Sequence, residues 1–199
     1  MAIRPLSAGL DRIEGGSGDD TLHGDGMIYG GETASLAGGN DRILGGDGDD
    51  VIYGDGTVRS GNPDYPWGAA ELIGGDDRII GGRGDDILWG DGEATAGREV
   101  VLTRGADTFV FRANGGRDQI MDFRSEDVDA IQFAMPKLKW SDLDTNRNGR
   151  LDDADRFISL QEGGTRIDYG AASRSSHQGE DVVTVVDVTD LAASSFLFV

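Results

Sequence analysis

The chain has 199 residues, of which 37 are Asp or Glu and 18 are Lys or Arg, giving a net charge of -19 and a pI near 4.2. Such a surface repels a phosphate polymer at long range, which excludes nucleic acid as a partner. Glycine takes 33 positions and hydrophobic residues only 37%, so something besides apolar burial must hold the fold.

With no cysteine there is neither a disulfide framework nor a thiolate metal site. No apolar run approaches about 18 residues, and the first twenty positions hold no signal-peptide core, so neither a membrane span nor Sec-type export is indicated. The acid is 29 Asp against 8 Glu. Asp is short and stiff, a bias that favours turns and metal ligation. Composition shifts near 92–105, because residues 1–92 hold 24 of the 33 glycines and no lysine.

From the N-terminus, GGSGDDTLHGDG at Gly15, GGDGDDVIYGDG at Gly45 and GGRGDDILWGDG at Gly81 align without gaps, and Asp-Arg-Ile precedes each at Asp11, Asp41 and Asp77. A fixed period means stacked supersecondary units rather than disorder. Two places after each turn Asp the residue is apolar: Ile13, Leu22, Ile43, Ile52, Ile79, Leu88, Phe109 and Ile120. Within a unit the Asp origins lie nine apart, while the units start 30, 36 and 30 residues apart. Two nines make a two-strand coil, so the remaining 12, 18 and 12 residues are expected to be loops inserted along one edge, each between a GDG and the next Gly-x-Asp.

The nonapeptide GGxGxDxUx, with U apolar, fits Gly15 to His23, Gly45 to Tyr53 and Gly81 to Trp89. It resembles the RTX calcium-binding repeat. The resemblance implies an all-β fold, a right-handed parallel β-roll of about four coils with several Ca²⁺ ions between turns. Glycine permits positive φ and close backbone approach, and Asp supplies the hard anionic oxygen that Ca²⁺ prefers. Stacked parallel strands place equivalent Asp residues in mutually repelling rows that cations neutralise. The expected ligands are Asp20, Asp50 and Asp86 with the turns of Gly16, Gly18, Gly46, Gly48, Gly82 and Gly84, then Asp11, Asp41, Asp77 and Asp107 on the opposite row. Asp25, Asp55 and Asp91, in the interrupted half-turns, are either ligands or turn formers.

Further along, Gly105 to Phe111 and Gly116 to Ile120 keep the register and resemble the closing part of RTX arrays. Residues 144–155 carry oxygen ligands at loop positions 1, 3, 5, 9 and 12, namely Asp144, Asn146, Asn148, Asp152 and Asp155, with Gly149 at position 6 and the Arg150 carbonyl at position 7. This is the EF-hand loop arrangement, with Asp in place of the usual Glu at position 12. Asp153 to Gln161 reads as a short helix ended by Gly163-Gly164. The run from Gly179 resembles the C-terminal export signal of type I secreted proteins, with an apolar end (Phe196-Leu197-Phe198-Val199) that is also readable as a buried strand.

The expected organisation is a roll with three inserted loops over 1–122 and a C-terminal cap and secretion region over 123–199, containing a small EF-hand-like helical insertion. Neither His23 nor His177 has a nucleophile context, there is no HExxH, and the carboxylates are explained as ion ligands, so no enzyme activity is expected. The ladder of His23, Tyr53 and Trp89, with Pro63, Tyr65, Pro66 and Trp67 in the longest insertion, is the candidate surface for a polysaccharide or protein, unless those rings pack under the loops. The resemblance implies a type I exporter of a Gram-negative cell as an early partner and an extracellular location without an N-terminal signal peptide. Repeats that begin by residue 9 favour a structural or adhesive protein over the calcium module of a secreted hydrolase or polysaccharide-active enzyme, and self-assembly through an edge is a further expectation.

Overall fold

The computed structural model describes residues 6–7, 9–61, 67–161, 163–174 and 179–199. Pro63, Tyr65, Pro66 and His177 lie outside the described residues. Strand β1 (Leu6–Ser7) leads into a first coil of β2 (Arg12–Ser17), β3 (Thr21–His23), β4 (Gly26–Gly30) and β5 (Thr33–Ala37). The second coil is β6 (Arg42–Asp47), β7 (Val51–Tyr53), β8 (Gly56–Ser60) and β9 (Ala69–Ile73). The third is β10 (Arg78–Arg83), β11 (Ile87–Trp89), β12 (Gly92–Ala96) and β13 (Glu99–Thr103). Strands β14 (Thr108–Phe111) and β15 (Arg117–Ile120) open a fourth coil, followed by β16 (Ala130–Phe133).

Stacking makes four parallel walls. One runs β2-β6-β10-β14-β16, one β3-β7-β11-β15, one β4-β8-β12 and one β1-β5-β9-β13. The fold is a parallel β-solenoid, as the repeat implies. The stretches expected as inserted loops are strands. Residues 26–37 and 92–103 each divide into two five-residue strands joined by a two-residue turn, and the six extra residues of 56–73 fall between β8 and β9. Each full coil is therefore four strands long, and the added pair builds a side lobe with its own apolar cluster of Ile28, Ala34, Leu36, Val58, Ala70 and Leu72. Stacking causes this, since parallel neighbours satisfy each other's backbone groups where an isolated insertion would leave them to water.

The residues two places after each Asp form the inner rungs. Ile43, Ile79, Phe109 and Ile131 stack along one wall and Ile52, Leu88 and Ile120 along the other, all 0% exposed, whereas Ile13 and Leu22 in the first coil are only partly buried. The same cluster continues past position 122 into Phe133, Tyr169, Val183, Val185 and Phe196.

The C-terminal region comprises α1 (Trp140–Leu143), β17 (Arg150–Leu151), β18 (Ile158–Gln161), β19 (Gly164–Asp168), α2 (Tyr169–Ala172), β20 (Val182–Val186), β21 (Leu191–Ala192) and β22 (Phe196–Phe198). Strand β20 adds in parallel to β15 and then carries β19 and β18 antiparallel. The helix expected over Asp153 to Gln161 is instead a turn followed by β18: positive φ at Gly163 and Gly164 reverses the chain, so Ile158 pairs with Ile167 across a hairpin. The apolar C-terminus forms β22, parallel to β16, with the Phe196 ring stacked 6.1 Å from Phe133. Among the described residues no helix is long and apolar enough to cross a membrane.

Candidate metal centre

The uninterrupted turns join β2 to β3, β6 to β7 and β10 to β11. Gly16, Gly18, Gly46, Gly48, Gly82 and Gly84 all have φ between +100° and +136°, a region closed to most side chains. These glycines allow the turns to nest: a Cβ on Gly46 would run into the Gly16 carbonyl, and one on Gly82 into the Gly46 carbonyl.

Each nested turn ends in an Asp bonded to the turn below. The N–H of Asp20 donates to Asp50 Oδ1 (2.9 Å), that of Asp50 to Asp86 Oδ1 (2.9 Å) and that of Asp86 to Asp118 Oδ1 (3.1 Å). On the opposite corner Asp11 N–H donates to Asp41 Oδ1, Asp41 to Asp77, Asp77 to Asp107 and Asp107 to Asp129, at 2.6–2.9 Å. A third, exposed ladder runs from Arg117 N–H to Asp85, from Asp85 N–H to Asp49 and from Asp49 N–H to Asp19. Ladder bonding occupies Oδ1 of every inner carboxylate after the first coil. Oδ2 is buried without a hydrogen-bond partner in Asp50 and Asp86, in Asp41, Asp77 and Asp107, and also in Asp20, whose carboxylate accepts no ladder bond.

The orphaned oxygens share one setting. Asp20, Asp50 and Asp86 aim Oδ2 over Gly15, Gly45 and Gly81, and Asp41, Asp77 and Asp107 aim theirs over Gly24, Gly54 and Gly90, where any Cβ would collide with it. Burial, then the neighbouring carboxylates, pushes Asp77 up to about 8, Asp107 to about 9 and Asp86 to about 7. Buried anions of one sign, each with an unused oxygen in a cradle kept open by glycine, fit a hard divalent cation, since burying such charge unpaired is costly.

Residues 7–26, 29–56 and 74–94 match the family model of the RTX calcium-binding nonapeptide repeat (4 copies). These segments are RTX repeats. No curated protein matches the chain.

The RTX ladders extend beyond the residues singled out from the sequence, to Asp118 and Asp129, which accept from Asp86 and Asp107, and to Asp122, which accepts from Gly90 and Asp91. Burial pushes Asp118 up to about 9 and Asp122 to about 7. A signal for two of them exists: Asp118-Gln119-Ile120 and Asp129-Ala130-Ile131 repeat the Asp-x-apolar spacing of the RTX turns. Asp122 carries no such mark.

Outside the RTX segments, residues 144–155 close on themselves. Asp144 (5% exposed) accepts from the N–H groups of Asn148 and Gly149 and from Trp140 Nε1, and Asp155 (3% exposed) accepts from Asn146, Asp152 and the Thr145 hydroxyl. Asp152 holds the amides of Asn146 and Asn148, while Asn146 and Asn148 accept from the N–H groups of Asn148 and Arg150. Gly149 takes φ +87°, and Arg150–Leu151 pairs antiparallel with β21.

The aromatic ladder has a different geometry from a free stacking platform. His23 and Tyr53 lie 4.6 Å apart at 4°, and Tyr53 and Trp89 6.0 Å apart at 17°, so the Tyr53 ring faces are covered by its neighbours. Burial lowers the pKa of His23. Trp67, two residues before β9, stands 76% exposed, and Tyr29 in β4 stands 64% exposed, both on the side lobe.

Proposed function

We propose that this is a secreted protein whose RTX solenoid folds on binding calcium outside the cell and then serves as a structural or surface-binding module. The observation that carries the reading is the pair of inner rows of buried Oδ2 atoms without partners. Asp20, Asp50 and Asp86 are assigned as ligands with the carbonyls of their Gly-rich turns, and Asp11, Asp41, Asp77 and Asp107 as ligands on the opposite corner. Bound Ca²⁺ supplies the positive charge that lets these rows stay ionised in the folded state. The chain's own contribution is the spacing: Asp41, Asp50, Asp77, Asp86 and Asp107 each clamp the preceding coil through Oδ1 and leave Oδ2 buried without a partner, while glycine keeps the cradle open.

Extracellular calcium sites have dissociation constants of about 10⁻⁴ to 10⁻³ M, so the carboxylate rows would hold the chain open in a low-calcium cytosol and stabilise the folded state by mass action outside. An unfolded, cysteine-free chain suits passage through a type I exporter, with the segment from Gly179 as the export signal that later closes the sheet as β20 and β22. The loop of Asp144, Asn146, Asn148, Arg150, Asp152 and Asp155 is assigned as an EF-hand-like calcium site, because its carboxylates and amides hold the backbone in a closed loop by hydrogen bonds across residues 144–155.

The assigned role is binding, with no reaction. Trp67 and Tyr29 on the side lobe are the contact residues for a polysaccharide or protein surface, since Tyr53 and Trp89 spend ring faces on each other. The deciding experiment is far-UV circular dichroism in chelator and through a calcium titration, with magnesium as control. A coil spectrum that turns cooperatively to β with calcium alone supports the reading, and a β spectrum in chelator at pH 8 sinks it.

A further inference from the structure

The interrupted corner of each coil differs chemically from the uninterrupted one. A turn such as Gly45 to Asp50 holds one buried carboxylate, whereas the split corner holds two carboxylates, half-buried Asp25 from the outgoing half and buried Asp41 from the returning half, then Asp55 and Asp77, both buried, in the next coil. Asp25, Asp55 and Asp91 first act as clasps across the split. Gly39 N–H donates to Asp25 Oδ2 (2.7 Å), Gly75 N–H to Asp55 Oδ1 (2.9 Å) and Gly105 N–H to Asp91 Oδ1 (2.7 Å).

The second oxygen of each clasp separates the coils. Asp25 Oδ1 and Asp55 Oδ2 are buried without a partner, and Asp55 is 0% exposed. Asp91 Oδ2 instead receives Arg104 Nη1 at 3.2 Å. Arg104 occupies the position that Gly38 and Gly74 hold in the first two coils, immediately before the glycine that donates to the clasp. A Cβ at Gly38 would run into the Asp55 carboxylate, and one at Gly74 into that of Asp91. In two coils the next coil's carboxylate thus packs against bare glycine, and the third brings in a guanidinium that also lies 3.9 Å from Asp127. Asp11, Asp25 and Asp41 can each bring one carboxylate oxygen within 4.8 Å of the others, a spacing that one cation can span.

We propose that Asp25 and Asp55 join Asp41 and Asp77 as cation ligands at the split corner, and that in the third coil the Arg104 side chain supplies to Asp91 the positive charge that a cation supplies to Asp25 and Asp55. The proposal rests on the calcium reading of the solenoid and adds to it two ligands and one fixed charge in place of an ion. Fixed charge at the last position spares Asp91 the need for an ion, and the guanidinium fork suits a buried carboxylate.

The test is the number of Ca²⁺ ions held per folded chain at saturating calcium, read by native mass spectrometry, with circular dichroism as the check on folding. Arg104→Gly restores the residue found in the other two coils and is expected to gain one ion; an unchanged or smaller count overturns the proposal. Asp55→Asn is expected to lose at least one ion while the ions of the uninterrupted turns stay, and an unchanged count also overturns it. Should Asp55→Asn fail to fold, the Arg104→Gly count decides alone. A parent chain that binds no calcium removes the underlying solenoid reading instead, which separates the two failures.

Discussion

The backbone N–H of Asp50 donates to Oδ1 of Asp86 2.9 Å away in the following coil, while Oδ2 of Asp86 is buried with no partner. On the proposed calcium reading one carboxylate does two jobs, and an amide can do only the first. Asp86→Asn keeps the ladder acceptor but places an uncharged group at the position assigned to the ligand oxygen. The calcium midpoint of folding is expected to rise about tenfold or more, the equivalent of losing a charge-assisted contact. Asp49→Asn, in the exposed ladder, should leave the midpoint within about twofold. Calcium titrations followed by circular dichroism compare the two.

Glycine positions make a second contrast. A Cβ on Gly54 would run into the Gly90 carbonyl and Asp77 Oδ2, so Gly54→Ala should destabilise the calcium-loaded fold by about 1–3 kcal/mol or more. Gly31 has nothing within 4 Å of its Cβ position, and Gly31→Ala should stay within about 0.5 kcal/mol. Urea unfolding at fixed calcium measures both.

Acid should partly replace the ion. In the calcium-free chain burial, then carboxylate repulsion, raises Asp77 to about 8 and Asp107 to about 9, above the value of about 3.9 for unfolded Asp. The folded chain then binds more protons than the unfolded chain between these values, so its stability grows as pH falls from about 9 toward 4 and is lost as pH rises. In calcium-depleted buffer the β signal is expected to be larger at pH 5 than at pH 8. The calcium midpoint should move the other way, upward at pH 5, because protons and Ca²⁺ contend for the same oxygens. A midpoint that does not change with pH would count against carboxylate ligation.

The loop at 144–155 is expected to respond independently of the solenoid. Asp144→Ala removes the acceptor of Trp140 Nε1 and of two loop N–H groups. Trp140 emission should change while the cooperative far-UV transition with calcium persists, its midpoint shifted less than about tenfold.

The inner rungs of the solenoid were legible because Asp-x-apolar recurs in fixed register, and a two-residue spacing in a strand puts each apolar residue on the same face. The side lobe was not. Its strands are at most five residues long, and those that carry Ala34, Ala70 and Ala94 are too weakly apolar to stand out from loops. What makes them strands is the matching segment in the adjacent coil, information that no single window contains. Strand β18 escaped for a related reason: Phe157, Ile158 and Leu160 suit a helix as well as a strand, and the reversal at Gly163-Gly164 decided between them. Among the carboxylates, Asp118 and Asp129 followed the spacing rule, but Asp122 belongs to the corner only through the fold.

The inner Asp ladders also have a direction. From Asp11 to Asp129 and from Asp20 to Asp118, the amide of the earlier coil always donates and the carboxylate of the later coil always accepts. A nascent chain therefore carries each coil's open amide before the group that will clamp it has been synthesised. The sense of the bonds also makes the two ends unlike: among the described residues the carboxylates of Asp11 and Asp20 in the first coil receive no ladder amide, whereas those of Asp118 and Asp129 at the far end do. The solenoid is polar along its axis, with its unclamped carboxylates at the N-terminal end.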